Sequence, residues 1–183
     1  MNYLGNGMEQ IKNIINITQD LNLLYVEDNK NSMKSSILFF EEFFNNIITA
    51  VDGEDGLEMF KTNKVDLIIT DLNMPKLNGL KMIEQIKKID SDVSIIILTA
   101  FNETIFFLES IKLGVDAYLL KPIDLDKFLI AISKVAKLIH IKKENKKCIK
   151  IMKEYHNVIT EIKLLAKNSP DKLLEYINTT FHS

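Results

Sequence analysis

Arginine is missing from this chain: all 23 basic residues among its 183 are lysine. Guanidinium groups are the usual bidentate readers of guanine and phosphate, so DNA binding is not expected. Asn, Ile and Lys are abundant throughout, and codon bias accounts for the lysines. Cysteine is almost as scarce. The single thiol, Cys148, excludes an internal disulfide and fits a reducing, cytoplasmic setting. His140, His156 and His182 are scattered and form no zinc-spaced set with it. No stretch approaches the roughly 20 apolar residues that span a bilayer. The N-terminus lacks a basic region followed by an apolar core. Neither membrane insertion nor export is expected.

What is present reads as a globular chain, 46% hydrophobic and 26% charged. The net charge of -2 hides an asymmetry: residues 1–137 carry 14 lysines against 20 acids, and residues 138–183 carry nine against five. Residues 1–20 contain Met8, Ile11, Ile14, Ile15 and Thr18, a spacing that suits a short amphipathic helix. That helix either covers part of a domain or forms an extension. From Leu21 the pattern alternates. Apolar runs at Leu21–Val26, Ile47–Val51, Val65–Thr70, Val93–Thr99 and Ala117–Leu120 are separated by segments of helical spacing. Asp52, Asn102 and Asp124 stand where helices begin, and Gly114 where one ends. Five strands alternating with five helices over residues 21–137 predict a parallel sheet covered on both faces.

In such a sheet the carboxyl ends of the strands line one edge, where α/β folds put their chemistry. The first strand ends in Glu27-Asp28, the third in Asp71, the fourth in Thr99 and the fifth in Lys121-Pro122. Clustered carboxylates repel one another unless a cation compensates, and all-oxygen ligation with room for water favours Mg²⁺. A metal-bound carboxylate can attack phosphorus, while a lysine and a hydroxyl stabilise the transferring group. The edge suits an acyl phosphate on Asp71.

VEDN, TDLNMPKLNG, ILTA and YLLKP, in this order, resemble the signature set of the response-regulator receiver domain of two-component signalling, a CheY-like superfamily. The resemblance implies a flavodoxin-like (βα)5 fold with strand order 2-1-3-4-5. It implies that Asp71 is the phosphoacceptor for a sensor histidine kinase. Asp28, Asp71 and the backbone carbonyl of Asn73 would hold Mg²⁺, with Glu27 acting through metal-bound water. Thr99 and Lys121 would contact the phosphoryl oxygens, Tyr118 would be the switch aromatic that turns inward with Thr99, and the bond before Pro122 would be cis. The signal would leave through the helix Asn102–Leu113, the strand Asp116–Leu120 and the fifth helix, a face on which one of Phe106 and Phe107 is buried and the other lies near the surface. Glu27 replaces the more frequent Asp, and Phe101, large and apolar, lies two residues after Thr99. The latter predicts slow autodephosphorylation. The domain would be a phosphoacceptor rather than an enzyme.

Beyond Lys137, residues Leu138, Ile141, Asn145, Cys148, Met152, Tyr155, Ile159, Ile162 and Ala166 follow one another at steps of three and four. This all-α extension of residues 138–183 predicts a homodimer through helix 138–166, about 43 Å long at the helical rise. Asn145 at an a position would fix its register. Ser169-Pro170 would start a short terminal helix. KEYHNVITEI around His156 does not match a kinase phosphoacceptor box, so that imidazole reads as solvated or flanking the seam. Two other classes remain. The chain could be a regulatory fragment of a longer protein with an enzymatic output domain such as a diguanylate cyclase. It could also be a phosphatase of the haloacid-dehalogenase type, although Asp71-Leu72-Asn73 has an amide where those enzymes place an acid.

Overall fold

Strand burial follows position in the sheet. The computed structural model describes residues 3–100 and 104–168. Strands β1 (Asn22–Val26), β2 (Asn46–Ala50), β3 (Leu67–Thr70), β4 (Ser94–Thr99) and β5 (Ala117–Leu120) form one parallel sheet in the order β2-β1-β3-β4-β5. The inner strands β3 and β4 are buried along their whole length, whereas the edge strands β2 and β5 are largely half-buried or exposed. An inner strand covered on both faces needs a continuous apolar run, which LIIT and SIIILT nearly supply. The architecture is flavodoxin-like, as the alternation and motif order imply.

Period-two alternation divides the core. Leu23, Tyr25, Leu67, Ile69, Ile96 and Leu98 face one cluster, completed by Phe40 of α2 (Lys30–Phe40) and by Phe128 and Ile132 of α6 (Leu125–Asn168). Leu24, Val26, Ile68, Ile95 and Ile97 face the other, against Met82, Ile83 and Ile86 of α4 (Gly79–Ile89). Each such side chain, taken fully out of water, contributes about 1.5–3 kcal/mol. The remaining helices are α1 (Tyr3–Thr18), α3 (Gly53–Thr62) and α5 (Thr104–Lys112). Asp52 and Asp124 accept backbone N–H bonds from the first turns of α3 and α6, and Gly114, at φ 68°, follows α5 in the left-handed region.

α1 covers the core. Ile14 is buried in the first cluster, Thr18 donates to the Phe43 carbonyl at 2.7 Å, and His140 Nε2 lies 2.8 Å from the Ile17 carbonyl. The chain divides into two compact units, Met1–His140 and Ile141–Ser183. The first runs past Lys137 because Ile139 is still buried in its core. No glycine or proline occurs between Pro122 and Pro170, so the fifth helix of the alternation and the heptad segment are one helix of 44 residues. In the second unit Met152, Tyr155 and Ile159 are exposed at 71%, 65% and 49%, and Cys148 is exposed. Phe101, the Asn102 cap and the helix expected after Ser169 lie outside the described residues. Among the described residues no helix is long and apolar enough to cross a membrane.

Candidate functional site

Register brings the strand ends together. Val26 pairs with Thr70, so Glu27 and Asp71 emerge side by side, and the Asp71 N–H donates to the Val26 carbonyl at 3.0 Å. Thr99 pairs with Leu120, and the Lys121 N–H donates to the Thr99 carbonyl at 2.8 Å. Alternation along the strands assigns Tyr25, Glu27, Asp71 and Lys121 to the face of the first cluster, and Thr99 and Tyr118 to the face of the second.

Glu27 and Asp71 are 2% and 7% exposed. Two buried carboxylates are costly unless a cation pairs with them. Lys121 is that cation: its Nζ donates to Asp71 Oδ2 at 2.6 Å and also to Glu27 Oε2. Burial works against the ammonium, but its bonds to Asp71 and Glu27 outweigh burial and raise its pKa above the ordinary lysine value. Its contribution to stability is therefore complete below about pH 10.4 and is lost as pH rises through the folded value. The second Asp71 oxygen, Oδ1, accepts from the backbone N–H groups of Leu72 at 2.5 Å and Asn73 at 3.3 Å. The Lys121–Pro122 peptide is cis.

The loop after β3 is held from behind. The Gly79 N–H donates to the Leu72 carbonyl at 2.9 Å, and a Cβ on Gly79 would stand 2.2 Å from the Asp71 carbonyl oxygen. Only glycine permits that approach. Lys76, at φ 60°, pairs with Asp52 at 2.5 Å, and the Gly53 N–H donates to the Leu77 carbonyl at 3.1 Å. Lys76 and the backbone N–H groups of α3 hold the Asp52 carboxyl below the usual carboxylate range. One side chain thus caps α3 and anchors the loop that carries Asp71.

The structure therefore brings Glu27, Asp71 and Lys121 into direct contact. Thr99 is fully buried at the end of β4. Asp28 and Asn73 are exposed. Tyr118 is half-buried against the second cluster, its ring edge-on to Phe107 with centroids 5.6 Å apart. Phe106 is half-buried and Phe107 exposed. Tyr25 and Lys76 were not singled out in the sequence, and Asp52 was read only as a helix cap. Tyr25 donates to Glu27 Oε2 at 2.9 Å, a contact that period two makes possible for residues i and i+2. Asp52 and Lys76 are 24 positions apart and carried no signal of their pairing.

Among the described residues no three acids stand together as a metal-holding group. Lys121 lies between Glu27 and Asp71, and Asp28, next to Glu27 in sequence, is exposed. The donors are nevertheless all oxygen, of the type that binds a hard divalent cation through one or two carboxylates with water completing the shell.

Residues 23–133 match the family model for the response regulator receiver domain. The chain belongs to this family. It is 38% identical over 100 residues to a probable transcriptional regulator, ycf27, of Cyanidium caldarium, covering 55% of this chain and 40% of that protein. The chain spans about half the length, or less, of the first curated relatives it matches. Among solved structures, the N-terminal domain of an uncharacterized protein from Wolinella succinogenes is 34% identical with a TM-score of 0.61, covering 68% of this chain and 98% of that one. The receiver is also similar to a chain of the CheX-CheY-BeF3-Mg²⁺ complex from Borrelia burgdorferi, at 28% identity and TM-score 0.58, covering 63% of this chain and 88% of that one.

Proposed function

We propose that this receiver takes a phosphoryl group onto Asp71 from a sensor histidine kinase in a Mg²⁺-dependent reaction. The observation that carries the reading is the Lys121 ammonium shared by the buried carboxylates of Glu27 and Asp71. An oxygen of Asp71 forms a bond to phosphorus as the phosphorus–nitrogen bond of the donor phosphohistidine breaks. The leaving imidazole takes the electron pair. Lys121 follows the charge onto the phosphoryl oxygens, and Thr99 donates to one of them. The bond from Leu72 N–H holds the carboxylate in place meanwhile. Asp28, Asp71 and the Asn73 carbonyl would hold Mg²⁺, with Glu27 reaching it through water. The bound ion supplies compensation for the charge that gathers between donor and acceptor. Acetyl phosphate with Mg²⁺ is expected to add one phosphoryl mass to the wild type and none to Asp71→Asn. Equal gain in both proteins would refute the assignment.

Phosphorylation then biases an existing two-state equilibrium. Ile105, Phe107, Leu108 and Ile111 of α5 and Leu120 of β5 form an exposed apolar surface beside Tyr118, which supports output through α5, β5 and α6. The exposed heptad positions Ile141, Met152, Tyr155 and Ile159 support a parallel homodimer through residues 138–166. In a parallel, in-register pair the two Cys148 side chains face each other at d positions. Mild oxidation with copper phenanthroline is expected to give a disulfide-linked dimer within minutes, with the oxidant accepting the two electrons. A chain that stays monomeric on a non-reducing gel at concentrations where light scattering reports a dimer would exclude that arrangement.

A further inference from the structure

Resting on the receiver reading above, we infer that Tyr25 is a positioning residue for Glu27, turning a longer acid into a fixed part of the phosphorylation site. Glu27 has one more methylene than the aspartate more common at this place, and that extra torsion is freedom the site must remove. The structure removes it from below. Tyr25 is fully buried in β1, two residues before Glu27 and on the same face of the strand. Its ring stands edge-on against Phe40 of α2, with centroids 5.0 Å apart and planes at 81°.

With its ring held in this way, Tyr25 donates to Glu27 Oε2 at 2.9 Å. The same oxygen accepts from Lys121 Nζ, whose other carboxylate partner is Asp71. A relay of single contacts therefore joins Tyr25, Glu27, Lys121 and Asp71. It holds Oε2 on the protein side and leaves Oε1 outside these bonds, available to a water of the cation shell. An aliphatic residue at position 25 would pack against Phe40 but leave Oε2 one donor short. A buried carboxylate short of a donor turns toward whatever cation it can reach, and Lys121 moves with it. Tyr25 touches neither phosphorus nor metal; it acts only through Glu27.

Partners that orient the groups around a bound metal typically change its affinity about 10–100-fold when removed. Tyr25→Phe keeps the ring and its contact with Phe40 and deletes only the oxygen. The full chain is titrated with Mg²⁺ alone by calorimetry, with no phosphoryl donor present. Tyr25→Phe is expected to weaken Mg²⁺ binding about tenfold. Because a shortened carboxylate does not reach the phenol, the same substitution in a Glu27→Asp background is expected to change Mg²⁺ affinity less than about twofold. A general structural role would lower affinity equally in both backgrounds. On the wild type itself, the Tyr25 hydroxyl proton should give a slowly exchanging NMR resonance that shifts on adding Mg²⁺, a reading that needs no variant to fold. Unchanged affinity in Tyr25→Phe, equal losses in both backgrounds, or a hydroxyl resonance indifferent to Mg²⁺ would each overturn the inference while leaving phosphorylation of Asp71 intact. A wild type that binds no Mg²⁺ and takes no label would overturn the underlying reading as well.

Discussion

Lys121→Met is expected to slow labelling of Asp71 by acetyl phosphate about 10²–10³-fold, the loss typical when one preorganised donor to a developing charge is removed. The side chain has two tasks. Before reaction its ammonium compensates Glu27 and Asp71 together. During transfer it follows the charge onto the phosphoryl oxygens. Methionine fills similar space and removes both. It also leaves two carboxylates buried beside each other with no side-chain cation between them, a destabilising arrangement. Raising Mg²⁺ is therefore expected to recover part of the stability of the variant but not its labelling rate. Stopped-time intact mass at several Mg²⁺ concentrations measures the rate, and urea denaturation measures the stability. A variant labelled within threefold of wild type would remove Lys121 from the mechanism.

Gly79→Ala is expected to destabilise the protein by about 1–3 kcal/mol, the range for forced overpacking, and to slow labelling as well. Helix propensity alone points the other way: alanine is better than glycine by roughly 1 kcal/mol within a helix. The contact decides the sign. The added methyl would lie 2.2 Å from the Asp71 carbonyl oxygen and 3.0 Å from the Leu72 Cα. Both are backbone atoms of the phosphoacceptor loop, so relief requires moving Asp71 itself. Denaturation in urea reads the loss, and a variant as stable as wild type would show that the loop yields freely. Gly7, where an added Cβ meets nothing within 4 Å, provides the control substitution in α1.

The inner strands were readable because burial on both faces demands an unbroken apolar run, as in LIIT and SIIILT. The strand ends were readable as candidates because Asp71 and Lys121 interrupt or follow such runs. Their pairing was not. Nothing in a linear sequence says that Lys121 divides itself between two carboxylates, or that Tyr25 supports one of them from below. Those contacts are between residues on different strands, or on one strand face, and depend on register. The fate of α1 was equally hidden. An amphipathic stripe reports that a helix has something to bury, and only Thr18 on the Phe43 carbonyl and Ile14 in the first cluster reveal the acceptor. The change near Lys137 marks where the apolar spacing shifts from one demand to another. It is not a break, since no residue there ends a helix.

The central claim is that residues from four strand ends meet around one tetrahedral centre on Asp71. A crystal structure of the wild-type chain with Mg²⁺ and beryllofluoride tests this most directly. The account predicts beryllium bonded to an Asp71 carboxylate oxygen, with Lys121 Nζ and Thr99 Oγ1 within hydrogen-bond distance of its fluorines and Glu27 still held by Tyr25. Beryllofluoride bound elsewhere, or bound to Asp71 with Lys121 and Thr99 turned away, would contradict it.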